Sequence, residues 1–332
     1  MTTKLLLSLT TAIGLASAAY AQDDPLSIVY IGKNTGNPYF DSITGGFEDA
    51  CAALGCEFEF VAPATAEATS QIPFIDAQIQ RGVEVIAIAP NSPDALNQVL
   101  RQAQDAGILV LTVNGDITGS EEFRDAAILP TNFDIVGRDQ VELVGSLIGY
   151  EGQIAILSAT TEAPDQNKWI VGMNETLAND PKYAKMELVA TVYGDDQPEK
   201  STTEMEALLA NFPDLRGVIA PTTVGIAAAA QVVQSRGIAD QVQVTGLGLP
   251  SEMRDFVKDG TVDAFQLWSP YNQGWLVAHF VDGLTKGTIM NEVGATFEVP
   301  NLGTITINEN NSINTQSSLT TFDINNIDDF DF

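Results

Sequence analysis

The sequence predicts an α/β fold of two doubly wound parallel-sheet lobes joined by a three-strand hinge. Strand-like segments alternate with helical segments along the chain, which is typical of right-handed βαβ units in open sheets. Segments such as VEVIAIAP (83–90) and ILVLTVN (108–114) are apolar on both faces, as parallel strands covered by helices must be. The alternation runs twice, and 332 residues are enough for two domains.

The predicted elements follow this alternation in order. The first series has strands at 26–32, 57–62, 83–90 and 108–114, with a helix at 40–53 after the first. The second series has strands at 153–159, 187–193, 217–221 and 242–248, each followed by a helical pattern. We interpret 125–130 as a short crossing segment, and we place the passages between the lobes at 129–133, 262–270 and 299–303. A helix at 271–286 would then return to the first lobe.

These passages divide the chain into a signal segment and two lobes. The N-terminal lobe comprises 22–129 plus 269–299, and the C-terminal lobe comprises 130–268 plus 300–332. Residues 1–21 have the pattern of a secretory signal: Lys4, an apolar run to about Leu15, and the small-x-small sequence Ala19-Tyr20-Ala21. The run is too short to span a bilayer. We therefore expect cleavage after Ala21 and a periplasmic, soluble mature protein.

The charge balance limits the possible partners. The chain has 44 acidic and 15 basic residues, a net charge of −29. Binding to nucleic acid or to anionic lipid requires clustered basic residues, so neither partner is expected. The single histidine, His279, disfavours zinc sites with several imidazoles and histidine-dependent triads. We therefore expect no metal, no cofactor and no catalytic residues.

The two cysteines, Cys51 and Cys56, are five residues apart near a predicted helix end. In a continuous helix this spacing is too long for a disulfide, but a turn at Gly55 could bring the sulfur atoms together. An exported protein folds in an oxidising compartment. The sequence allows either a disulfide or two free buried thiols. In both cases the role of the two cysteines is structural.

Polar and aromatic residues follow several of the predicted strands. Open α/β sheets bind ligands beyond the carboxyl ends of their strands, so we expect these residues to converge between the lobes. The candidate ligand-binding residues are Lys33, Asn37, Phe40, Asp116, Asp165, Gln166, Pro221, Thr223 and Trp268. An ammonium group, carboxylates, amides and aromatic rings together are suited to a small polyhydroxylated ligand.

Each candidate also has a structural interpretation. Lys33 and Asp116 could form an ion pair, Asp165 could cap a helix, and Trp268 could belong to the core of the hinge. The neighbouring carboxylates Asp195 and Asp196, which follow Tyr193-Gly194, are interpreted as a solvated turn.

Long stretches of the chain resemble one family. They are KNTGNPYFD, QNKWI, ATVYGDDQPEKS, IAPTTVGIAAAAQ, VTGLGLPSEMRDFVKDGTVDAFQLWSP and NIDDFDF. They resemble the type I periplasmic binding proteins of sugar ABC transporters, in the branch that binds rhamnose or autoinducer-2. The resemblance implies a monomer that delivers its ligand to an ABC permease in the inner membrane, with a chemoreceptor as a further partner.

The resemblance also implies roles for individual residues. The ligand of autoinducer-2 receptors would be held here by Lys33, Asp116, Asp165, Gln166, the Pro221 carbonyl and the residue at position 223. That residue is Thr223, where these receptors have alanine. The stretches APTTVG and TGLGLPSEM are closer to rhamnose binders, whereas the Asp165 carboxylate is typical of autoinducer-2 receptors. Asn114-Gly115-Asp116 and Ser269 differ from both patterns.

These observations predict the binding component of an importer for a small sugar, with a rhamnose-like deoxysugar favoured. An autoinducer-2 receptor is the alternative. A sugar-responsive transcription regulator would need a helix-turn-helix and a basic face, which the sequence does not provide. A sugar-processing enzyme is a minor alternative, because the carboxylates could perform acid–base chemistry.

Overall fold

A computed structural model describes residues 25–332. Its strands are β1 (Ser27–Ile31), β2 (Glu57–Val61), β3 (Val85–Ile88), β4 (Leu109–Val113), β5 (Ala126–Leu129), β6 (Gly152–Ser158), β7 (Met186–Tyr193), β8 (Leu215–Ala220), β9 (Gln243–Gly246), β10 (Ala264–Leu267), β11 (Thr296–Val299), β12 (Gly303–Thr306), β13 (Ser312–Asn314) and β14 (Thr320–Asp323). The α-helices are α1 (Pro38–Leu54), α2 (Ile72–Arg81), α3 (Asn97–Asp105), α4 (Phe133–Ile148), α5 (Pro164–Asn179), α6 (Pro198–Asn211), α7 (Thr223–Arg236), α8 (Pro250–Lys258) and α9 (Tyr271–Thr285). The predicted signal segment and its cleavage site lie outside the described residues. Within those residues, no helix has both the length and the apolar character needed to cross a membrane.

The first lobe is built on a six-stranded parallel sheet in the order β13-β5-β4-β3-β1-β2. Alternate residues of each strand face opposite layers of helix. On β1, Tyr30 belongs to the core under α1, whereas Val29 belongs to the core under α2 and α3. Because both faces are covered, all four residues of β3 are buried. The prediction of a doubly wound parallel sheet is confirmed.

The second lobe repeats this arrangement on a smaller sheet. Four parallel strands lie in the order β7-β6-β8-β9. A bridge between Leu247 and Gln266 then connects β9 to β10, which pairs with β14 in the antiparallel direction. The segment predicted as a crossing at 125–130 is β5, a strand of the first sheet, and the chain leaves that sheet directly after it.

The third passage between the lobes differs from the prediction. Residues 299–303 form the turn of the antiparallel β11–β12 hairpin, in which Asn301 and Gly303 have positive φ angles. The chain instead crosses at 315–319, between β13 in the first sheet and β14 beside the second. Residues 312–314 therefore belong to the first lobe, which corrects the predicted boundary at 300. A three-residue strand with one buried side chain, Ile313, gives too little periodicity to be recognised.

The three crossings lie side by side. The backbone N–H of Thr315 donates to the Leu129 carbonyl at 2.9 Å, and its hydroxyl donates to the Pro130 carbonyl at 2.7 Å. The N–H of Ser269 donates to the side-chain oxygen of Gln316 at 3.3 Å. These bonds join the first crossing to the third and the second to the third, so the lobes meet through one narrow, cross-connected hinge.

The cysteines are bridged. Helix α1 ends at Leu54, and Gly55 follows in the left-handed conformation with φ 81°. This turn brings the Cα atoms of Cys51 and Cys56 to 4.6 Å, and the two residues form a disulfide. Of the two possibilities left open by the spacing, the disulfide is the one observed.

Candidate functional site

A small cavity lies between the two lobes, at the carboxyl ends of strands from both sheets. Its free space is about 30 Å³, room for about two water molecules. Its lining residues are Lys33, Asn37, Tyr39, Phe40, Asn114, Asp165, Gln166, Trp169, Asp196, Pro221, Thr222, Thr223, Leu247, Leu267 and Trp268. All of the predicted ligand-binding residues except Asp116 are among them.

An ion pair crosses the cavity from one lobe to the other. Lys33 follows β1 in the first lobe, and Asp165 lies in the first turn of α5 in the second. The Lys33 ammonium donates to both Asp165 oxygens, at 2.6 and 2.9 Å, and to the Gln166 side-chain oxygen at 3.2 Å. Lys33 is only 3% exposed and Asp165 1%. Because unpaired buried charges are costly, each charge here depends on its partner in the other lobe.

A chain of hydrogen bonds extends from this pair to the hinge. The Trp268 indole and the Gln273 amide both donate to the Tyr39 hydroxyl, at 2.7 and 2.9 Å. The Tyr39 hydroxyl donates to the Asn114 side-chain oxygen, and the Asn114 amide donates to Asp165 at 3.3 Å. Burial raises the pKa of Tyr39 above its ordinary value. The hinge and the cavity are thus one polar network.

Aromatic side chains form the apolar walls. Phe40, Trp169 and Trp268 are buried, and the two indole rings meet edge to face with centroids 5.6 Å apart. The Trp169 indole N–H has no hydrogen-bond partner among residues 25–332, so it remains available as a donor. Asn37 caps α1 by accepting from the Tyr39 N–H at 3.1 Å. Helix capping therefore occupies one oxygen of a predicted ligand-binding residue.

Asp116 is not brought into the cavity. Its carboxylate accepts two parallel hydrogen bonds from the Arg124 guanidinium, both at 2.7 Å, and another from Thr112 at 2.9 Å. Asp116 is therefore absent from the described lining, and the ion pair with Lys33 that was its alternative structural interpretation is not formed. Asn114, which has a positive φ of 69°, occupies the corresponding place in the lining. Asparagine tolerates this conformation through its short polar side chain.

The second lobe completes the lining with residues after β8. The Gln166 amide donates to the Pro221 carbonyl at 3.4 Å. Thr223 is the first residue of α7 and is 6% exposed. The predicted residues Gln166, Pro221 and Thr223 are therefore brought together.

Asp196 was expected in a solvated turn, and that prediction is wrong. Its carboxylate lines the cavity, is 6% exposed and accepts a hydrogen bond from the Thr222 hydroxyl. Burial raises the pKa of this carboxyl, and the Lys33 charge opposes the rise. Only its neighbour Asp195 matches the prediction, as a partly exposed side chain paired with Lys200. The position of Asp196 beyond the carboxyl end of β7 is the one sequence signal that places it in the lining.

Two α/β lobes that enclose a polar cavity and meet through three crossings define a binding protein that closes around a small solute. A family model described as a periplasmic binding protein domain matches residues 28–289. The chain belongs to this family, and its relatives are binding proteins of transporters rather than enzymes.

Similar proteins have been solved or characterised. A sugar ABC transporter structure from Actinomyces odontolyticus is 41% identical, with a TM-score of 0.74, covering 92% of this chain and 98% of that one. A solute-binding protein from Clostridium phytofermentas with bound L-rhamnose is 33% identical, with a TM-score of 0.87 and the same coverage. The xylose/arabinose-binding protein of Sulfolobus acidocaldarius is 25% identical over 75% of this chain and 63% of that protein. The chain thus spans less than two thirds of that relative's length.

Proposed function

We propose that this protein is the solute-binding component of an ABC importer for a small neutral sugar, with a rhamnose-like deoxysugar as the preferred ligand. The observation that carries the proposal is the buried Lys33–Asp165 pair, which places a donor from one lobe and an acceptor from the other in one cavity. Sugar hydroxyls can accept from the ammonium and donate to the carboxylate. The aromatic walls suit the C–H face and the methyl group of a deoxysugar.

The geometry also suggests how binding would proceed. The free space of about 30 Å³ is too small for a sugar ring, so the lobes must separate before a ligand can enter. A sugar would then replace the direct contact between Lys33 and Asp165 by bridging hydroxyl groups. Because the ligand contacts both lobes, it would shift the population towards the closed form.

Support for a deoxysugar comes from the structure of the Clostridium phytofermentas protein, which holds L-rhamnose and is 33% identical to this chain. The export pattern in residues 1–21 supports a periplasmic location, from which the protein would deliver sugar to a permease in the inner membrane.

N-terminal sequencing tests this location. The sequence of the mature protein is expected to begin at Gln22, because the predicted cleavage site follows Ala21. A soluble, functional protein that retains Met1 would contradict export.

Calorimetric titration tests the proposed function. Wild-type protein, freed of bound ligand by unfolding and refolding, is titrated with L-rhamnose, autoinducer-2, D-ribose and D-xylose. We expect L-rhamnose to bind most tightly and no product to form during incubation. If none of the four compounds binds, the proposal is wrong. If D-ribose or D-xylose binds more tightly than L-rhamnose, only the preference for a deoxysugar is wrong, whereas tightest binding of autoinducer-2 would favour the second candidate function.

The second candidate function, autoinducer-2 reception, is favoured by the buried Asp165 carboxylate. Thr223→Ala separates the two candidates. Thr223 adds a hydroxyl and a methyl group to the cavity wall, so its removal is expected to improve autoinducer-2 binding relative to L-rhamnose, by about tenfold in the ratio of the two affinities. Tight autoinducer-2 binding by wild type, unchanged in Thr223→Ala, would favour the receptor instead.

A further inference from the structure

We infer that Asp196 is a specificity-determining ligand-binding residue, whose carboxylate accepts a hydrogen bond from one hydroxyl of the bound sugar. This inference rests on the proposed function and adds to it a second carboxylate, in addition to Asp165. Three features carry it: the position of the side chain in the cavity, the backbone that holds it there, and the charge of its surroundings.

The first feature is position. Asp196 lies beyond the carboxyl end of β7, in the lining that also contains Lys33 and Asp165. Thr222 supplies one hydrogen bond to its carboxylate. A carboxylate can accept about four hydrogen bonds, so acceptor capacity remains on a side chain that already faces the cavity.

The second feature is the backbone. Asp195 and Asp196 both have positive φ angles, 54° and 53°, which is uncommon for two consecutive residues other than glycine. The turn is held by backbone hydrogen bonds from Gly194 to the Ser158 carbonyl at 2.9 Å and from Asp195 to the Ala159 carbonyl at 3.0 Å. This conformation directs Asp195 outwards and Asp196 into the cavity. Unusual backbone conformations of this kind concentrate at ligand sites.

The third feature is charge. Lys33 is the one basic side chain in the described lining, whereas Asp165 and Asp196 are both acidic. One ammonium cannot neutralise both carboxylates, so a hydrogen-bond donor in the ligand would stabilise the second one. An anionic ligand would instead add a further buried negative charge. The site therefore fits a neutral sugar with several hydroxyl donors.

Asp196→Asn and Asp195→Asn provide a matched pair of variants. Asparagine tolerates positive φ, so both variants keep the turn, and each removes one negative charge from it. Titration of the sugar that binds wild type most tightly among L-rhamnose, autoinducer-2, D-ribose and D-xylose is expected to show a loss of about tenfold for Asp196→Asn. Asp195→Asn is expected to remain within about twofold of wild type.

Monodeoxy derivatives of the same sugar distinguish contact from structural support. We expect one derivative to bind wild type more weakly than the parent sugar, yet to lose little further affinity with Asp196→Asn, because both changes remove the same hydrogen bond. Equal affinity of Asp196→Asn and wild type would overturn the inference while leaving the proposed function intact. A lower melting temperature of the ligand-free variant with unchanged affinity would also overturn it. Failure of all four compounds to bind wild type would refute the proposed function and this inference with it.

Discussion

Lys33→Met is expected to weaken sugar binding by about a hundredfold. The substitution removes a proposed donor to the ligand and leaves the Asp165 carboxylate, 1% exposed in the closed form, without its cation. Each closure would then bury an unpaired charge, which is much more costly than burying the pair. Calorimetric titration with the sugar that binds wild type measures the effect.

Lys168→Met is the matched control for this variant. Lys168 lies on the same helix as Asp165, but its side chain is 44% exposed and pairs with Asp134 at 3.0 Å on the surface. Exposed pairs contribute little, so the control is expected to bind like wild type. The Lys33–Asp165 contact also competes with the ligand. Tighter binding by Lys33→Met would therefore show that this competition outweighs the ligand contact, and would contradict the proposed role of Lys33.

Gly46→Ala is expected to lower the free energy of unfolding by about 3 kcal/mol, because helices α1 and α9 pack backbone against backbone at this point. A Cβ atom on Gly46 would lie 2.0 Å from the Tyr271 carbonyl oxygen and 2.9 Å from the Trp275 nitrogen. The opposing residue, Gly274, is equally restricted, since its Cβ would lie 2.1 Å from the Ile43 carbonyl oxygen. Neither helix can relieve the contact without moving as a whole.

Gly45→Ala, one residue earlier in the same helix, is not expected to lower the free energy of unfolding. A Cβ atom on Gly45 would meet its nearest neighbour, the Tyr271 ring, at 3.9 Å, which is an ordinary contact. Alanine favours the helix over glycine by up to about 1 kcal/mol, so this variant is expected to be unchanged or more stable. Denaturant unfolding followed by circular dichroism compares the two variants. Equal stability of both would show that the helices separate at little cost.

Most strands of the two sheets could be predicted from the sequence because buried parallel strands are apolar on both faces. The strand predicted at 108–114 is β4 (Leu109–Val113), and the strand predicted at 153–159 is β6 (Gly152–Ser158). Short strands such as β13, with three residues, could not be predicted in this way. The pairing of β13 with β5 depends on tertiary contacts between residues more than 180 positions apart, which no local pattern contains.

Most of the predicted residues lie in the cavity lining, and Asp116 and Asp196 are the two at which the prediction and the structure differ. The rule that ligands bind beyond strand ends found the lining around Lys33 and Asp165, because it depends on topology alone. It could not decide between Asn114 and Asp116, which follow the same strand. Arg124 pairs with Asp116 at 2.7 Å and keeps its carboxylate out of the lining, and this tertiary contact is not visible in the local sequence. Asp196 was assigned to a solvated turn because two adjacent carboxylates usually face solvent. Only the backbone conformation shows that one of them is buried.

The position of the third crossing has a consequence for how the chain acquires its structure. Strand β13 completes the first sheet, and β14 pairs with β10 beside the second sheet, although β13 and β14 are separated by only five residues. Helix α9, which packs on α1, also comes late in the sequence. Neither lobe can therefore reach its final state before residues 312–323 have been synthesised, and contacts of such long sequence separation form slowly.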